Sequence, residues 1–177
     1  MAQTALPRPV VMIGMMGAGK THIGRLLGQR LGIPFTDSDA VIEAAIGCRI
    51  ADYFASHGEP AFREREYEAF ESLLAGPAIV IGAGGGAVTN PKTLELLKAK
   101  AIPVWLQAAT SELVRRCAGS DARPLLNNGD PTTILDGLLQ KRGSLYQEAA
   151  AFMVRSDEGR DTDVVDRIID GLKKWPQ

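Results

Sequence analysis

One glycine-rich segment constrains the fold of this chain more than any other part of its sequence. Residues 14–21 read GMMGAGKT and match the pattern G-x-x-x-x-G-K-[ST] at every position. A continuous apolar run at residues 9–13 precedes the segment, and a helical pattern at residues 20–31 follows it. This order predicts a buried strand, a loop and a helix, which is the setting that the pattern requires.

The residue types of this loop are suited to binding phosphate groups. Gly14, Gly17 and Gly19 allow backbone N–H groups to approach a ligand closely, at the positive end of the following helix. Lys20 would bring a cation to the β- and γ-phosphates of a nucleotide, and the Thr21 hydroxyl would ligate Mg²⁺. The alternative, a chance glycine-rich turn, does not account for both the pattern and its setting. Motors, switches and small-molecule kinases share this loop, so it does not identify a reaction.

The rest of the chain alternates between short apolar runs and helical patterns. Further strands are expected at residues 33–36, 77–81, 102–106 and 152–154. Further helices are expected at residues 59–74, 93–100, 111–117, 132–150 and 164–175, with another after Ser38 as a candidate cap. The alternation predicts an α/β domain with a mainly parallel sheet, whose ligands bind beyond the carboxyl ends of the strands.

Composition limits the classes of partner. The 177 residues are expected to form one domain, and the net charge of −1 offers no broad basic field for nucleic acid or an anionic membrane. No apolar stretch reaches the roughly 18 residues of a membrane span. Cys48 and Cys117 fit no metal or disulfide spacing, and the N-terminus carries no secretory pattern, so a cytoplasmic protein is expected.

Two acids follow the second predicted strand. Asp37 and Asp39 could divide two tasks, one holding Mg²⁺ through water and the other orienting a substrate hydroxyl or accepting its proton. Helix capping by Asp37 or Ser38, with Asp39 as a first-turn acid, explains them equally well. The third predicted strand ends without the Mg²⁺-linked acid that is usual in motor ATPases and GTPases.

Glycines and arginines supply further candidates. The run at residues 82–86 (GAGGG) could let a ligand approach the backbone, although a tight turn would also explain it. Arg63 could pair with Glu59 or Glu66 on a solvated helix face. Arg123 lies in a polar, turn-rich segment, where a cation on a mobile lid could neutralise a transferring phosphate.

In this order the motifs resemble those of the shikimate kinase family. The matching segments, which span nearly the whole chain, are GMMGAGKT, DSD, GEPAFREREYE, GAGGG, RPLL and KRGSLY. The resemblance implies a P-loop NTPase fold with a five-stranded parallel sheet flanked by helices on both faces. It also implies a substrate-binding region at about residues 37–66 and a mobile lid at about residues 118–131. The implied reaction is ATP-dependent phosphorylation of the 3-hydroxyl of shikimate in aromatic amino-acid biosynthesis, by a monomer that uses one Mg²⁺.

The same resemblance implies roles for individual residues. Asp39 would orient the attacking hydroxyl, while Arg63 and Arg142 would bind the substrate carboxylate. The implied catalytic residues are Lys20, Asp39 and Arg123. The pocket would also be lined by Gly84, Gly85 and Gly86. Arg116 would pack against adenine, with Arg160 as a second adenine contact. The nucleotide site would comprise Gly14, Gly17, Ala18, Gly19, Lys20, Thr21, His22, Arg116, Arg123 and Arg160. The metal site would comprise Thr21 and Asp37.

Two other functions are compatible with a phosphate loop. Another small P-loop kinase, acting on gluconate or a nucleoside monophosphate, would not explain the DSD, FR and GGG segments together. A regulatory nucleotide-binding module without activity should have lost part of the set Lys20, Thr21, Asp39 and Arg123, which is intact.

Overall fold

A computed structural model describes residues 6–118 and 129–176 and places five strands in one sheet. The strands are β1 Val10–Ile13, β2 Phe35–Asp37, β3 Val80–Gly82, β4 Ile102–Gln107 and β5 Phe152–Arg155. Their order is β2-β3-β1-β4-β5, and every neighbouring pair is parallel. The predicted five-stranded parallel sheet is therefore confirmed.

Helices cover both faces of the sheet. They are α1 Lys20–Leu31, α2 Ser38–Ile46, α3 Ile50–Leu74, α4 Pro91–Lys100, α5 Thr110–Cys117, α6 Pro131–Ala149 and α7 Asp161–Lys174. Because parallel crossovers are right-handed, connections that run in opposite directions along the sheet put their helices on opposite faces. Accordingly α1 packs with α7 on one face, while α4 packs with α3 and α6 on the other.

The main core lies between these layers. All four residues of β1 are buried, as expected for the central strand of a parallel sheet with both faces covered. A second, smaller apolar cluster packs Ile42 of α2 against Phe62 and Ala69 of α3. The predicted substrate-binding region, residues 37–66, is thus tied to the sheet at β2 and has a small core of its own.

Helix α3 begins at Ile50, earlier than the predicted start at residue 59. Gly58 interrupts it with a left-handed φ of 78°, and Pro60 follows at the point where helical geometry resumes. The sequence HGEP therefore does mark a break, but the segment before it is helical as well. Helix α7 likewise begins at Asp161, before the expected residue 164.

Two sequence predictions lie wholly or largely outside the described residues. Arg123 and most of the predicted lid fall in residues 119–128.

In the parts of the chain that the structure describes, no helix is long and apolar enough to cross a membrane.

Candidate active site

The phosphate loop joins β1 to α1 as predicted. Gly17 and Gly19 have φ angles of +81° and +91°, which residues with a side chain rarely adopt. A Cβ atom on Gly14 would lie 2.5 Å from the carbonyl oxygen of Leu106 in β4. Lys20 Nζ donates to the carbonyl oxygens of Gly14 and Met15, at 2.9 and 2.8 Å. These bonds hold the ammonium group over the loop, beside the first turn of α1.

Asp37 connects this loop to the end of β2. Its Oδ2 accepts a hydrogen bond from Thr21 Oγ1 at 3.1 Å, and its Oδ1 accepts one from the Asp39 backbone N–H at 3.0 Å. Of the two caps considered for α2 from the sequence, Asp37 is therefore confirmed and Ser38 is wrong. Ser38 is already helical, and its hydroxyl accepts a hydrogen bond from the Gly84 N–H at 3.3 Å. Asp37 is thus both a helix cap and a neighbour of the phosphate loop.

The Thr21 hydroxyl and the Asp37 carboxylate are hard oxygen donors of the kind that Mg²⁺ prefers. Among residues 6–118 and 129–176, no group of three or more His, Cys, Asp and Glu side chains is arranged to hold a metal ion. An ion at this position would therefore take most of its ligands from phosphate oxygens and water. That is the usual coordination of a Mg²⁺ that binds together with a nucleotide, so the residues fit such an ion.

Asp39 lies in the first turn of α2 and faces the glycine run after β3. A Cβ atom on Gly84 would be 3.0 Å from Asp39 Oδ1 and 3.3 Å from Glu66 Oε1, so the absent side chain leaves room for both carboxyl groups. Burial, and then the charge of Asp37, raise the pKa of Asp39 above its usual value, against the opposing effects of Lys20 and Arg63. A carboxylate with a raised pKa is a better proton acceptor.

Arg63 reaches the same glycine run from α3. Its guanidinium pairs with Glu66 at 2.7 Å and with Glu59 at 2.9 Å, so both ion pairs considered from the sequence form. The face is not solvated, however, because the side chains of Arg63 and Glu66 are only 14% and 1% exposed. A Cβ atom on Gly86 would overlap the Arg63 guanidinium. Burial raises the pKa of Glu66, although the charge of Arg63 opposes the rise.

Arg142 approaches from α6 and completes the cluster. Its Nη1 donates to the carbonyl oxygen of Gly85 at 3.3 Å. A Cβ atom on Gly85 would lie 3.6 Å from the Gly14 carbonyl oxygen and equally far from the Met16 backbone N, so this glycine packs directly on the phosphate loop. A carboxylate, two guanidinium groups and a phosphate-binding loop therefore meet at one edge of the sheet. Such a set can bind an anionic hydroxylated molecule next to a nucleotide.

Arg116, on α5, contacts the phosphate loop at Gly17. Its Nη1 donates to the Gly17 carbonyl oxygen at 3.3 Å and to Ser156 Oγ at 3.2 Å, and its Nη2 donates to the Ser156 carbonyl oxygen at 2.9 Å. Glu112 accepts from its Nε at 2.6 Å. Arg116 therefore bridges the phosphate loop and the segment after β5, where a nucleoside bound in this loop could extend.

The two remaining nucleotide-site candidates lie further out on the surface. His22 is 64% exposed and contacts Asp161 at 2.8 Å, which joins the first turn of α1 to that of α7. Arg160 is 84% exposed and pairs with Asp163 in the first turn of α7, the helix that Arg160 precedes. Their proposed contacts with a nucleotide stay predictions.

Comparison with protein families accounts for this arrangement. A family model described as shikimate kinase matches residues 16–173. The chain belongs to the shikimate kinase family. A shikimate kinase of Paramagnetospirillum magneticum is 46% identical over 165 residues, which cover 93% of this chain and 84% of that protein. The family resemblance of the ordered motifs is thus confirmed.

Solved structures agree on the fold. Shikimate kinase from Acinetobacter baumannii in complex with shikimate has a TM-score of 0.88 and 35% identity, covering 95% of this chain and 93% of that one. A gluconokinase from Sinorhizobium meliloti has a TM-score of 0.60 and 18% identity, covering 96% and 94%. At that identity the second likeness shows only that the two chains share a fold.

Two further residues of the site were not singled out from the sequence, Tyr146 at the end of the KRGSLY segment and Glu112 in α5. Tyr146 is buried and donates its hydroxyl hydrogen to the Gly85 carbonyl oxygen. Glu112 pairs with Arg116. Tyr146 follows Arg142 by four positions and Glu112 precedes Arg116 by four, so helical spacing from each candidate arginine could have identified both.

Proposed function

We propose that this chain transfers the γ-phosphoryl group of ATP to the 3-hydroxyl of shikimate, giving shikimate 3-phosphate and ADP. One observation carries the proposal: the glycine run at residues 84–86 touches the phosphate loop on one side and Asp39, Arg63 and Arg142 on the other. Donor and acceptor would therefore be bound in contact, and this positioning supplies much of the catalysis in phosphoryl transfer.

The acceptor pocket suits a small hydroxy acid. Arg63 and Arg142 would bind the carboxylate through charge-assisted hydrogen bonds, which are stronger than those between neutral groups. Arg63 is held by its ion pair with Glu66, whose side chain is only 1% exposed. With the carboxylate bound at one end, a ring hydroxyl at the other end can be directed to Asp39 and the phosphate loop.

In the transfer step the substrate hydroxyl oxygen forms a bond to the γ-phosphorus as the bond to the bridging oxygen of ADP breaks. The hydroxyl proton passes to the Asp39 carboxylate, whose raised pKa favours that transfer. Lys20 and the loop N–H groups stabilise the charge on the transferring oxygens. Mg²⁺, held by Thr21 and through water by Asp37, would supply further positive charge when bound. We propose that Arg123, which lies outside the described residues, adds a cation from a lid.

The reaction can be tested by measuring ADP release from the purified chain with ATP and Mg²⁺ and each of four conditions: shikimate, gluconate, AMP or no acceptor. We expect release to depend on shikimate, with one phosphorylated product per ADP. Activity with gluconate or AMP alone would support another P-loop kinase instead. Equal release without any acceptor, or none in any condition, would also contradict the proposal. Omitting Mg²⁺ should abolish ADP release, because Lys20 would then be the one cation of the phosphate loop that offsets the negative charge of the phosphates.

Arg63→Ala is expected to raise the KM for shikimate by about 10–100-fold, because a charge-assisted pair with the substrate carboxylate is lost. The KM for ATP should change little. Arg65→Ala is the matched control, since Arg65 lies on the same helix and makes an i,i+3 ion pair with Glu68, but its side chain is 51% exposed. An unchanged KM for shikimate in Arg63→Ala would mean that Arg63 serves only its ion pairs.

Several finer points belong to this proposal. Arg116 and Arg160 would contact adenine, and Ala18 and His22 would line the phosphate site. The chain would act in the cytoplasm as a single-domain monomer. Light scattering after size-exclusion chromatography would measure the mass directly, and a value near twice 18.9 kDa would contradict the monomer.

A further inference from the structure

Tyr146 is a buried aromatic residue for which the proposed reaction gives no role. It lies on α6, is 1% exposed, and donates its phenol hydrogen to the carbonyl oxygen of Gly85. Arg142, one turn earlier on the same helix, donates to that same carbonyl oxygen at 3.3 Å. The Gly85 carbonyl oxygen therefore accepts two hydrogen bonds, one from a neutral phenol and one from a guanidinium group proposed to bind substrate.

The Tyr146 ring is also connected, through Trp105, to the phosphate loop at residues 14–21. It stacks on Trp105 of β4 with ring centroids 5.7 Å apart and an interplanar angle of 29°. Trp105 packs against the start of the phosphate loop, since a Cβ atom on Gly14 would lie 3.3 Å from Trp105 Cδ1. Aromatic packing of this kind restricts ring movement. The phenol oxygen therefore has a defined position relative to both the phosphate loop and Gly85.

The protonation state of the phenol is constant over the pH range in which enzymes are assayed. Burial raises the pKa of Tyr146 to about 12, although Arg142 from the same helix and Arg63 from α3 act to lower it. The hydroxyl group consequently remains a hydrogen-bond donor at neutral pH.

We infer that Tyr146 is a positioning residue for acceptor binding: its hydroxyl holds the Gly85 carbonyl oxygen in place, so that this oxygen keeps a donor when Arg142 turns from it to the substrate carboxylate. Gly85 is partly buried, and a carbonyl group with little access to water is stabilised by a hydrogen-bond donor from the protein. Without the phenol, Arg142 Nη1 is the one side-chain donor to this oxygen among the described residues, and that N–H would be kept by Gly85 rather than offered to the substrate. The inference rests on the proposed function, because it assumes that Arg142 binds the acceptor.

Tyr146→Phe tests this role, because it removes one oxygen atom and keeps the ring against Trp105. We expect the KM for shikimate to rise about tenfold, as for the loss of one hydrogen bond that orients a charged group. The KM for ATP should stay within about twofold and kcat should fall by less than about threefold. The ratio of mutant to wild-type KM should be constant from pH 6 to 9. Tyr67→Phe is the matched control, since Tyr67 donates to Glu71 on an exposed helix face.

Two further measurements distinguish positioning from general stability. The Kd of shikimate without nucleotide, measured by calorimetry, should rise as the KM does. In a double-mutant cycle with Arg142→Lys, the Kd of shikimate should rise in the double variant by less than the product of the two single fold-changes, because both changes disturb one interaction.

The outcomes separate the two proposals. If the wild-type chain does not phosphorylate shikimate, the proposed function fails and this inference fails with it. If the wild-type chain is active but Tyr146→Phe has an unchanged KM for shikimate, only the inference fails. A lower melting temperature with equal changes in both KM values, or independent effects in the double-mutant cycle, would also overturn it.

Discussion

Asp39→Asn is expected to lower kcat with shikimate by about 10²–10⁴-fold, the range for loss of a positioned proton acceptor. The amide has nearly the same shape as the carboxylate but cannot take the hydroxyl proton. The affinity for ATP should change by less than about twofold, because it is Asp37, not Asp39, that contacts Thr21 beside the phosphate loop. Steady-state kinetics and calorimetric titration with a non-hydrolysable ATP analogue would measure both quantities.

Asp166→Asn provides the control, since that carboxylate is 54% exposed and pairs with Arg30 away from the cluster. It should leave both quantities unchanged. If Asp39→Asn instead destroyed nucleotide affinity, Asp39 would belong to the metal site. If it left kcat unchanged, the hydroxyl proton would have another acceptor.

The same substitution should make the folded chain more stable at neutral pH. Below the usual pKa of 3.8, Asp39 is protonated in both the folded and the unfolded chain and does not change the free energy of unfolding. As the pH rises, the unfolded chain releases this proton first, because the folded-state pKa is raised, and stability is lost until the folded pKa is passed. Asparagine carries no such charge, so the melting temperature of Asp39→Asn should exceed that of the wild type at pH 7. The gain should be about 2–4 °C for each kcal/mol recovered, and it should vanish below pH 3.8.

Lys20→Met is the second large effect that we expect, with a fall in kcat of about 10²–10³-fold, as when one preorganised donor to a transition-state oxygen is removed. Methionine is an unbranched side chain of similar size, and it removes the ammonium charge together with its hydrogen bonds to the carbonyl oxygens of Gly14 and Met15. ATP should bind more weakly, whereas the Kd of shikimate without nucleotide should stay within about twofold, since Arg63 and Arg142 are intact. Product assays and calorimetry would measure these changes.

Lys100→Met, at the exposed end of α4, is the control for loss of one lysine charge. Wild-type turnover in Lys20→Met would contradict a role in transfer. Loss of shikimate affinity in the absence of nucleotide would show that Lys20 supports the acceptor pocket instead.

Local sequence determined much of the fold. Helix α1 runs from Lys20 to Leu31 as predicted. Gly19 precedes its first residue and Gly32 follows its last, and both glycines adopt left-handed conformations that end the helical geometry. The short apolar runs predicted all five strands, and the three central strands β3, β1 and β4 are almost wholly buried, because helices cover both faces of the sheet there. The earlier start of α3 escaped prediction, because glycine and proline at 58 and 60 indicate a break without showing what precedes it.

The sequence also left alternatives that only the tertiary structure could decide. Asp37 was equally compatible with a helix cap and with a metal-site role, and Asp39 with a first-turn acid and with a role in the reaction. In the structure Asp37 caps α2 and also contacts Thr21. For Arg63 taken alone the sequence favoured a solvated ion pair, whereas its pair with Glu66 proved to be buried and its guanidinium lies against Gly86. These outcomes depend on packing between distant segments, which no local pattern contains.

The phosphate loop was therefore readable from the sequence alone, because its eight consecutive residues carry all the backbone conformations and charges that phosphate binding requires. The acceptor pocket was not, because its parts are distant in the chain. Parallel pairing of β2 with β3 puts Asp37 beside Gly82, which brings Asp39 to the glycine run. Tyr146, 61 positions after Gly85, reaches it only because α6 packs across the same edge of the sheet. Residue types predicted the chemistry, whereas strand register and helix packing decided which side chains meet.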